Sequence, residues 1–179
     1  TELRFAYWYD LWRKRTAAGS YSGDFNSVAY DTVNKLWCAV GDSGEIQTSP
    51  DGFIWTAQTA DASYSGDFKS IDHDGTGKWC AVGTAGEIQT STDGVTWTHQ
   101  TPQFGYSGTF NGVMFATGWL AVGSGGELQT SFDGGVSWGR RTPALGYSGT
   151  FHSAAYKQPF WVVVGSSGEI QLSNNGVTW

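Results

Sequence analysis

Three features of the sequence predict an all-β fold. A segment from Phe25 to Trp55 recurs as Phe68 to Trp97, Phe110 to Trp138 and Phe151 to Trp179. The tryptophans that close successive units, Trp12, Trp55, Trp97, Trp138 and Trp179, are spaced by 43, 42, 41 and 41 residues, a period typical of propellers and solenoids. Gly supplies 26 of the 179 residues, Pro 4 and Trp 10, the profile of many short strands joined by tight turns. The expected architecture is a β-propeller of four blades, each of four antiparallel strands, with the ring closed by the N-terminal strand pairing with the C-terminal blade. The chain reads as a single domain, 1–179, with repeats at approximately 13–55, 56–97, 98–138 and 139–179.

Each unit divides into four strands. The first, Phe25 to Tyr30, is matched by Phe68 to His73, Phe110 to Phe115 and Phe151 to Tyr156, with apolar and small or polar residues mixed at short range as in a strand. The second, Leu36 to Val40, is matched by Trp79 to Val82, Trp119 to Val122 and Phe160 to Val164. Its nearly continuous apolar run implies burial on both faces. A glycine-framed turn follows, Gly41 to Gly44 and its copies from Gly83, Gly123 and Gly165, which supplies the positive φ angles of a tight hairpin. The third strand begins at Glu45, Glu87, Glu127 and Glu169. A second turn contains Asp51-Gly52, Asp93-Gly94, Asp133-Gly134 or Asn175-Gly176, where the side-chain oxygen accepts backbone N–H bonds while glycine takes the left-handed position. The closing tryptophan belongs to the fourth strand.

The last unit ends at that tryptophan, and Trp12 to Thr16 supplies a fourth strand in register with it. Trp12 lies nine residues before Tyr21, as Trp55 does before Tyr64. Residues 1–12 then read as a closing strand or the remnant of a further blade.

The second turn and fourth strand resemble the Asp-box, or BNR, repeat, with its pattern Ser-x-Asp-x-Gly-x-Thr/Ser-Trp. Ser131, Asp133, Gly135, Ser137 and Trp138 fit it in full. Ser49, Asp51, Gly52 and Trp55, and Ser91, Asp93, Gly94 and Trp97, fit with one residue fewer; Ser173, Asn175, Gly176 and Trp179 carry Asn in place of Asp. The wider unit is similar to repeats of phage tail-associated and bacterial surface proteins, and more distantly to sialidases and photosystem II assembly-factor propellers. The resemblance implies a structural hairpin on the face away from the ligand, and a location that is extracellular or on a virion surface.

The ligand face is then the one formed by the blade links and the turns between second and third strands. Each link ends in one motif: Tyr21, Ser22 and Asp24; Tyr64, Ser65 and Asp67; Tyr106 and Ser107 before Thr109; Tyr147 and Ser148 before Thr150. An aromatic, a hydroxyl and an acceptor repeated around a ring suit multivalent binding of a glycan, by ring stacking and hydroxyl contacts. The bland reading is that tyrosine packs over the next blade and Ser-Gly turns the chain.

Other chemistry finds little footing. A glutamate in every blade is architecture rather than the asymmetric carboxylate pair a glycosidase needs. Arg4, Arg13, Arg15, Arg140 and Arg141 assemble no arginine triad, and His73, His99 and His152 lack zinc-site spacing. Cys38 and Cys80 occupy equivalent positions a whole unit apart, too far to bond, and read as small buried hydrophobes. The net charge of −6 argues against nucleic acid as partner. No apolar run is long enough to span a membrane and no signal peptide is visible. The expected function is a non-enzymatic binding module without metal or cofactor. Its partner would be a glycan or protein receptor, with other copies of itself or a larger assembly as further partners. The alternative is an architectural virion or scaffold protein.

Overall fold

The computed structural model describes residues 13–179. Blade one comprises β1 (Phe25–Asp31), β2 (Leu36–Gly41), β3 (Ile46–Ser49) and β4 (Thr56–Gln58). Blade two comprises β5 (Phe68–His73), β6 (Trp79–Gly83), β7 (Ile88–Ser91) and β8 (Trp97–Gln100). Blade three comprises β9 (Phe110–Phe115), β10 (Trp119–Gly123), β11 (Leu128–Ser131) and β12 (Gly139–Arg141); blade four comprises β13 (Phe151–Lys157), β14 (Phe160–Gly165) and β15 (Ile170–Ser173). Strands pair antiparallel in chain order within each blade, and the first strands pack in series, β1 on β5, β5 on β9 and β9 on β13.

The turns have the predicted chemistry with one refinement. Between second and third strands two consecutive residues take positive φ: Ser43 (59°) and Gly44 (75°), Ala85 (58°) and Gly86 (74°), Gly125 (70°) and Gly126 (71°), Ser167 (60°) and Gly168 (78°). Glycine fills the second of these positions in every blade, whereas the first tolerates Ser or Ala. Every first strand also carries a bulge after its opening phenylalanine, and bulges re-aim side chains. The bulged Asn26 donates from Nδ2 to Phe68 O at 2.8 Å, and Asn111 to Phe151 O at 2.9 Å, tying blade one to blade two and blade three to blade four.

The core is three copies of one joint. Cys38, Val40 and Ile46 of blade one meet Phe68, Ile71, Trp79 and Trp97 of blade two. Cys80, Val82 and Ile88 meet Phe110, Val113, Trp119 and Trp138. Leu120, Val122 and Leu128 meet Phe151, Trp161 and Val163. Both cysteines are free and buried, and burial pushes both thiols well up from their ordinary value.

One expectation needs correction and one is not shown. Burial of the second strand on both faces holds for β6 and β10, which have a blade on each side, but β2 and β14 keep exposed residues because each faces a neighbour on one side only. Ring closure by residues 12–16 is not shown: Trp12 lies outside the described residues, Arg13–Thr16 form no strand, and the fourth blade holds three strands among the described residues. Residues 13–18 run beside blade one. Ala18 N donates to Gln47 Oε1 at 2.8 Å and the Arg15 guanidinium lies 4.2 Å above the Phe53 ring.

Candidate binding face formed by the blade links

The links and the turns between second and third strands share one face, as the chain order predicts. Gly44 N donates to Gly66 O (2.6 Å), Gly86 N to Gly108 O (2.6 Å) and Gly126 N to Gly149 O (2.5 Å). The links into blades two, three and four are thereby clamped onto the turn of the preceding blade.

The glutamates and glutamines of the third strand hold the links in place. Residues two apart on a strand share a face, so Glu45 and Gln47 project together, as do Glu87 with Gln89, Glu127 with Gln129 and Glu169 with Gln171. Each glutamine donates to its glutamate at 2.6–2.7 Å. Its Oε1 then accepts a link amide at 2.8–2.9 Å: Ala18, Asp61, Gln103 and Ala144 in turn. The carboxylates are therefore framework groups, as their repetition suggested. Glu127 also pairs with Arg140 Nε at 2.9 Å and Glu87 with His99 Nδ1 at 3.1 Å. Arg140 thus helps to hold the framework.

The four motif tyrosines face inward. Tyr64 Oη lies 3.0 Å from Asp67 O and 3.1 Å from Thr84 O; Tyr106 Oη lies 3.0 Å from both Thr109 O and Ser124 O. Tyr21 and Tyr147 make the same pair of contacts. Each ring packs on the phenylalanine opening its blade, at centroid separations of 4.7–4.9 Å. Burial raises the Tyr64 and Tyr106 phenols above their ordinary value, so they stay neutral donors. Ser22, Ser65, Ser107 and Ser148 are exposed beside them, as is Asp24; Asp67 is half-buried and bonds Lys69 Nζ at 2.9 Å.

The same face carries residues that sequence inspection passed over. Two residues before each motif tyrosine the backbone sits in the left-handed region, at Gly19 (φ 62°), Ala62 (53°), Phe104 (55°) and Leu145 (52°), and in the third and fourth links the following Gly105 (61°) and Gly146 (67°) share it. Phe104 is 80% exposed and Leu145 fully so. Left-handed backbone costs a non-glycine residue about 1 kcal/mol, so these two positions hold a bulky apolar side chain in water in a conformation that favours glycine. The framework around them is kept between repeats while the tip varies. The only sequence signal was that variation, set against three invariant letters that follow.

On the opposite face the Ser-Asp-Gly turns behave as predicted. Asp51 Oδ1 accepts from Phe53 N (2.7 Å) and Ile54 N (3.1 Å), and Asp93 Oδ1 from Val95 N (2.8 Å) and Thr96 N (2.7 Å). Asp133 accepts from Val136 N and Ser137 N and from the Ser137 hydroxyl. Trp97 Nε1 and Trp138 Nε1 donate to Gly94 O and Gly135 O, while Trp55 and Trp179 are half-buried. Backbone donation lowers the Asp51 and Asp93 carboxyls, and the Ser137 hydroxyl bond lowers that of Asp133. A depressed carboxyl stabilises the fold above its unfolded value of about 3.9 and loses that contribution as pH falls through the lower folded value. The fourth blade shows that asparagine keeps the geometry: Asn175 Oδ1 accepts from Val177 N and Thr178 N, both at 2.9 Å. We expect a variant with Asn at positions 51, 93 and 133 to fold normally and to take up fewer protons on unfolding, by at most three, in the window between the lowered folded values and about 3.9. Equal acid-unfolding slopes for parent and variant would refute this.

The His73 side chain is buried at the end of β5 with Nε2 3.4 Å from the fully buried Asp31. Asp31 itself accepts from Val33 N (2.7 Å) and Asn34 N (3.1 Å), so this pair belongs to the packing of blades one and two. His99 contacts Glu87, and His152 Nε2 lies 3.1 Å from Ser166 Oγ. Among the described residues no group of His, Cys, Asp and Glu could hold a metal ion. None of the helices described is long and apolar enough to cross a membrane.

No protein-family model matches the chain, and no curated protein matches it in sequence. Solved structures do. The computationally designed Ika4 protein superposes with a TM-score of 0.70 at 8% identity, covering 92% of this chain and 99% of that one. The designed Ika8 protein gives 0.70 at 10% identity over 92% of this chain and 50% of that one. YCF48 bound to D1 peptide gives 0.67 at 20% identity, over 92% of this chain and 56% of that one. The chain thus spans about half the length of the latter two. At these identities the likeness is one of fold, and with the four successive antiparallel sheets it makes this chain a β-propeller in architecture.

Proposed function

We propose that the chain is a non-enzymatic binding module that engages a glycan or surface receptor through its blade-link face, and that its opposite-face turns are Asp-box hairpins of the BNR type. The observation that carries the reading is the pair Phe104 and Leu145, exposed apolar side chains held at strained link tips. Strained backbone persists where surrounding structure over-determines it, and it clusters at functional sites. Beside these tips stand the exposed Ser107 and Ser148, which add hydroxyl contacts, and repetition along the array gives multivalency. The setting we propose is extracellular or on a virion surface. The inward-facing tyrosine hydroxyls favour a second reading, an architectural scaffold, because they commit the repeated aromatic to the frame.

Glycine at both tips separates the two. Phe104→Gly with Leu145→Gly removes the anchors and relieves the left-handed strain, while adding unfolded-state freedom, so stability should stay within about 1 kcal/mol of the parent. On a glycan array and on immobilised host-cell surface protein, the parent should bind and the folded variant should lose at least about ten-fold in affinity. Equal binding by both proteins would sink the link-tip reading, and silence from a folded parent would leave the scaffold.

A further inference from the structure

The two ends of the blade array carry the two halves of the joint that recurs three times inside it. On blade one, Phe25, Val28 and Trp37 are 42%, 56% and 37% exposed. Their counterparts Phe68, Ile71 and Trp79 are 0%, 5% and 0% exposed against the preceding blade, and blade three repeats this with Phe110, Val113 and Trp119. On blade four, Val164 and Ile170 are 39% and 70% exposed, where Val40 and Ile46 are fully buried against the following blade. Leu172, 52% exposed, stands where the inner blades have Thr48, Thr90 and Thr130, so this end face is more apolar than the buried faces it copies. A cavity of about 290 Å³ lies between Arg15–Ala17 and the blade-one face, lined by Phe25, Val28 and Trp55. In the inner joints the equivalent space is filled by the preceding blade.

We propose that the occupant of each end face is the other end of a second copy, two chains joining head to tail at both ends into one closed ring of eight blades. The argument is continuity with the interface already built three times within the chain. Apolar end faces of this kind mark association sites, and a two-fold pair is the commonest closed symmetry. The described arc is one that longer chains continue, since it superposes on half of a designed chain at a TM-score of 0.70. The joint also includes a strand. Residues 13–18 already occupy, beside blade one, the place that Thr56–Asp61 occupy beside blade two: Ala18 N bonds Gln47 Oε1 as Asp61 N bonds Gln89 Oε1. In the register of β3 with β4, where Ile46 faces Gln58 and Thr48 faces Thr56, Arg15 pairs with Ile170 of the second copy and Arg13 with its Leu172. The three-stranded blade thereby gains its fourth strand by edge addition.

Sedimentation and light scattering on the full chain over a wide concentration range test this. The parent should run as a particle of twice the chain mass. Val28→Lys and Ile170→Asp, both at exposed positions, should each give a folded particle of one chain mass. Their mixture should return to two, since one joint is then unaltered and the other pairs Lys with Asp. Gly168→Ala is an independent probe. Its added Cβ meets nothing within 4 Å, whereas at Gly44, Gly86 and Gly126 it would meet the next link's tyrosine carbonyl at 1.9–2.2 Å. The variant should therefore fold and fail to pair. A parent of one chain mass at every concentration would overturn the proposal. So would open-ended polymers, or a two-chain particle unchanged in all three variants.

Discussion

Replacing Gly86 by alanine is expected to cost about 3–5 kcal/mol, and the same replacement at Gly168 about 1 kcal/mol. Both residues sit at one repeat position with nearly equal backbone, φ 74° and 78°, so the left-handed penalty is common to both. What differs is the ceiling. A Cβ at Gly86 would lie 1.9 Å from Tyr106 O and 2.9 Å from Tyr106 C, backbone atoms that cannot swing aside as a side chain does. Relief requires lifting the link, which breaks the Gly86 N to Gly108 O bond and disturbs the Tyr106 hydroxyl contacts with Thr109 and Ser124 carbonyls. In a repeat array each unit contacts only its neighbours, so the loss falls on the joint between blades two and three. Thermal unfolding at dilutions where copies are apart reads it directly: a drop of roughly 10 °C for Gly86→Ala against a few degrees for Gly168→Ala. Equal drops would show that the turn-to-link clamp contributes nothing beyond glycine's φ.

Much of this was legible in the sequence because one physical demand was printed several times over. A glycine that recurs at the second turn position in every unit announces a left-handed residue, and Trp79, Trp119 and Trp161 announce a buried strand. The side of the sheet on which links and turns meet followed from strand order alone. The joint ends were not legible. Phe25 and Phe68 stand in the same place in the repeat, yet one is 42% exposed and the other 0%, because burial depends on whether a neighbouring blade exists and not on local pattern. The same limit hid the binding candidates. Tyr64 and Tyr106 drew attention by repetition, but repetition is what a clamp requires. Phe104 and Leu145 differ from each other, and only the backbone angle at a link tip gives them significance. His73 and Asp31 lie in different blades, and no spacing rule joins them.

Trp119→Ala is expected to cost about 3–5 kcal/mol, the usual range for a fully buried tryptophan, and Trp37→Ala less than about 2 kcal/mol when measured at high dilution. The two residues hold the same repeat position in the second strands of their blades and differ in surroundings. Trp119 is 0% exposed between blades two and three, packed with Phe110, Val113 and Trp138 and, across the joint, with Val82 and Ile88. Trp37 keeps only its own blade: Tyr30 stacks on it at 4.5 Å, and 37% of its surface is open. Trp119→Phe is the control for aromatic packing. Because Nε1 of Trp119 has no hydrogen-bond partner among the described residues, losing that group leaves no acceptor orphaned, and the cost should fall to about 1–2 kcal/mol. Denaturant unfolding of the three variants measures all of this. The difference between Trp119 and Trp37 also bears on the architecture. If Trp37→Ala costs as much as Trp119→Ala at dilutions where copies are apart, the face of blade one is covered within a single chain and the four blades close on themselves. If it costs little at dilution but weakens association when the protein is concentrated, that face is half of a joint awaiting a second copy.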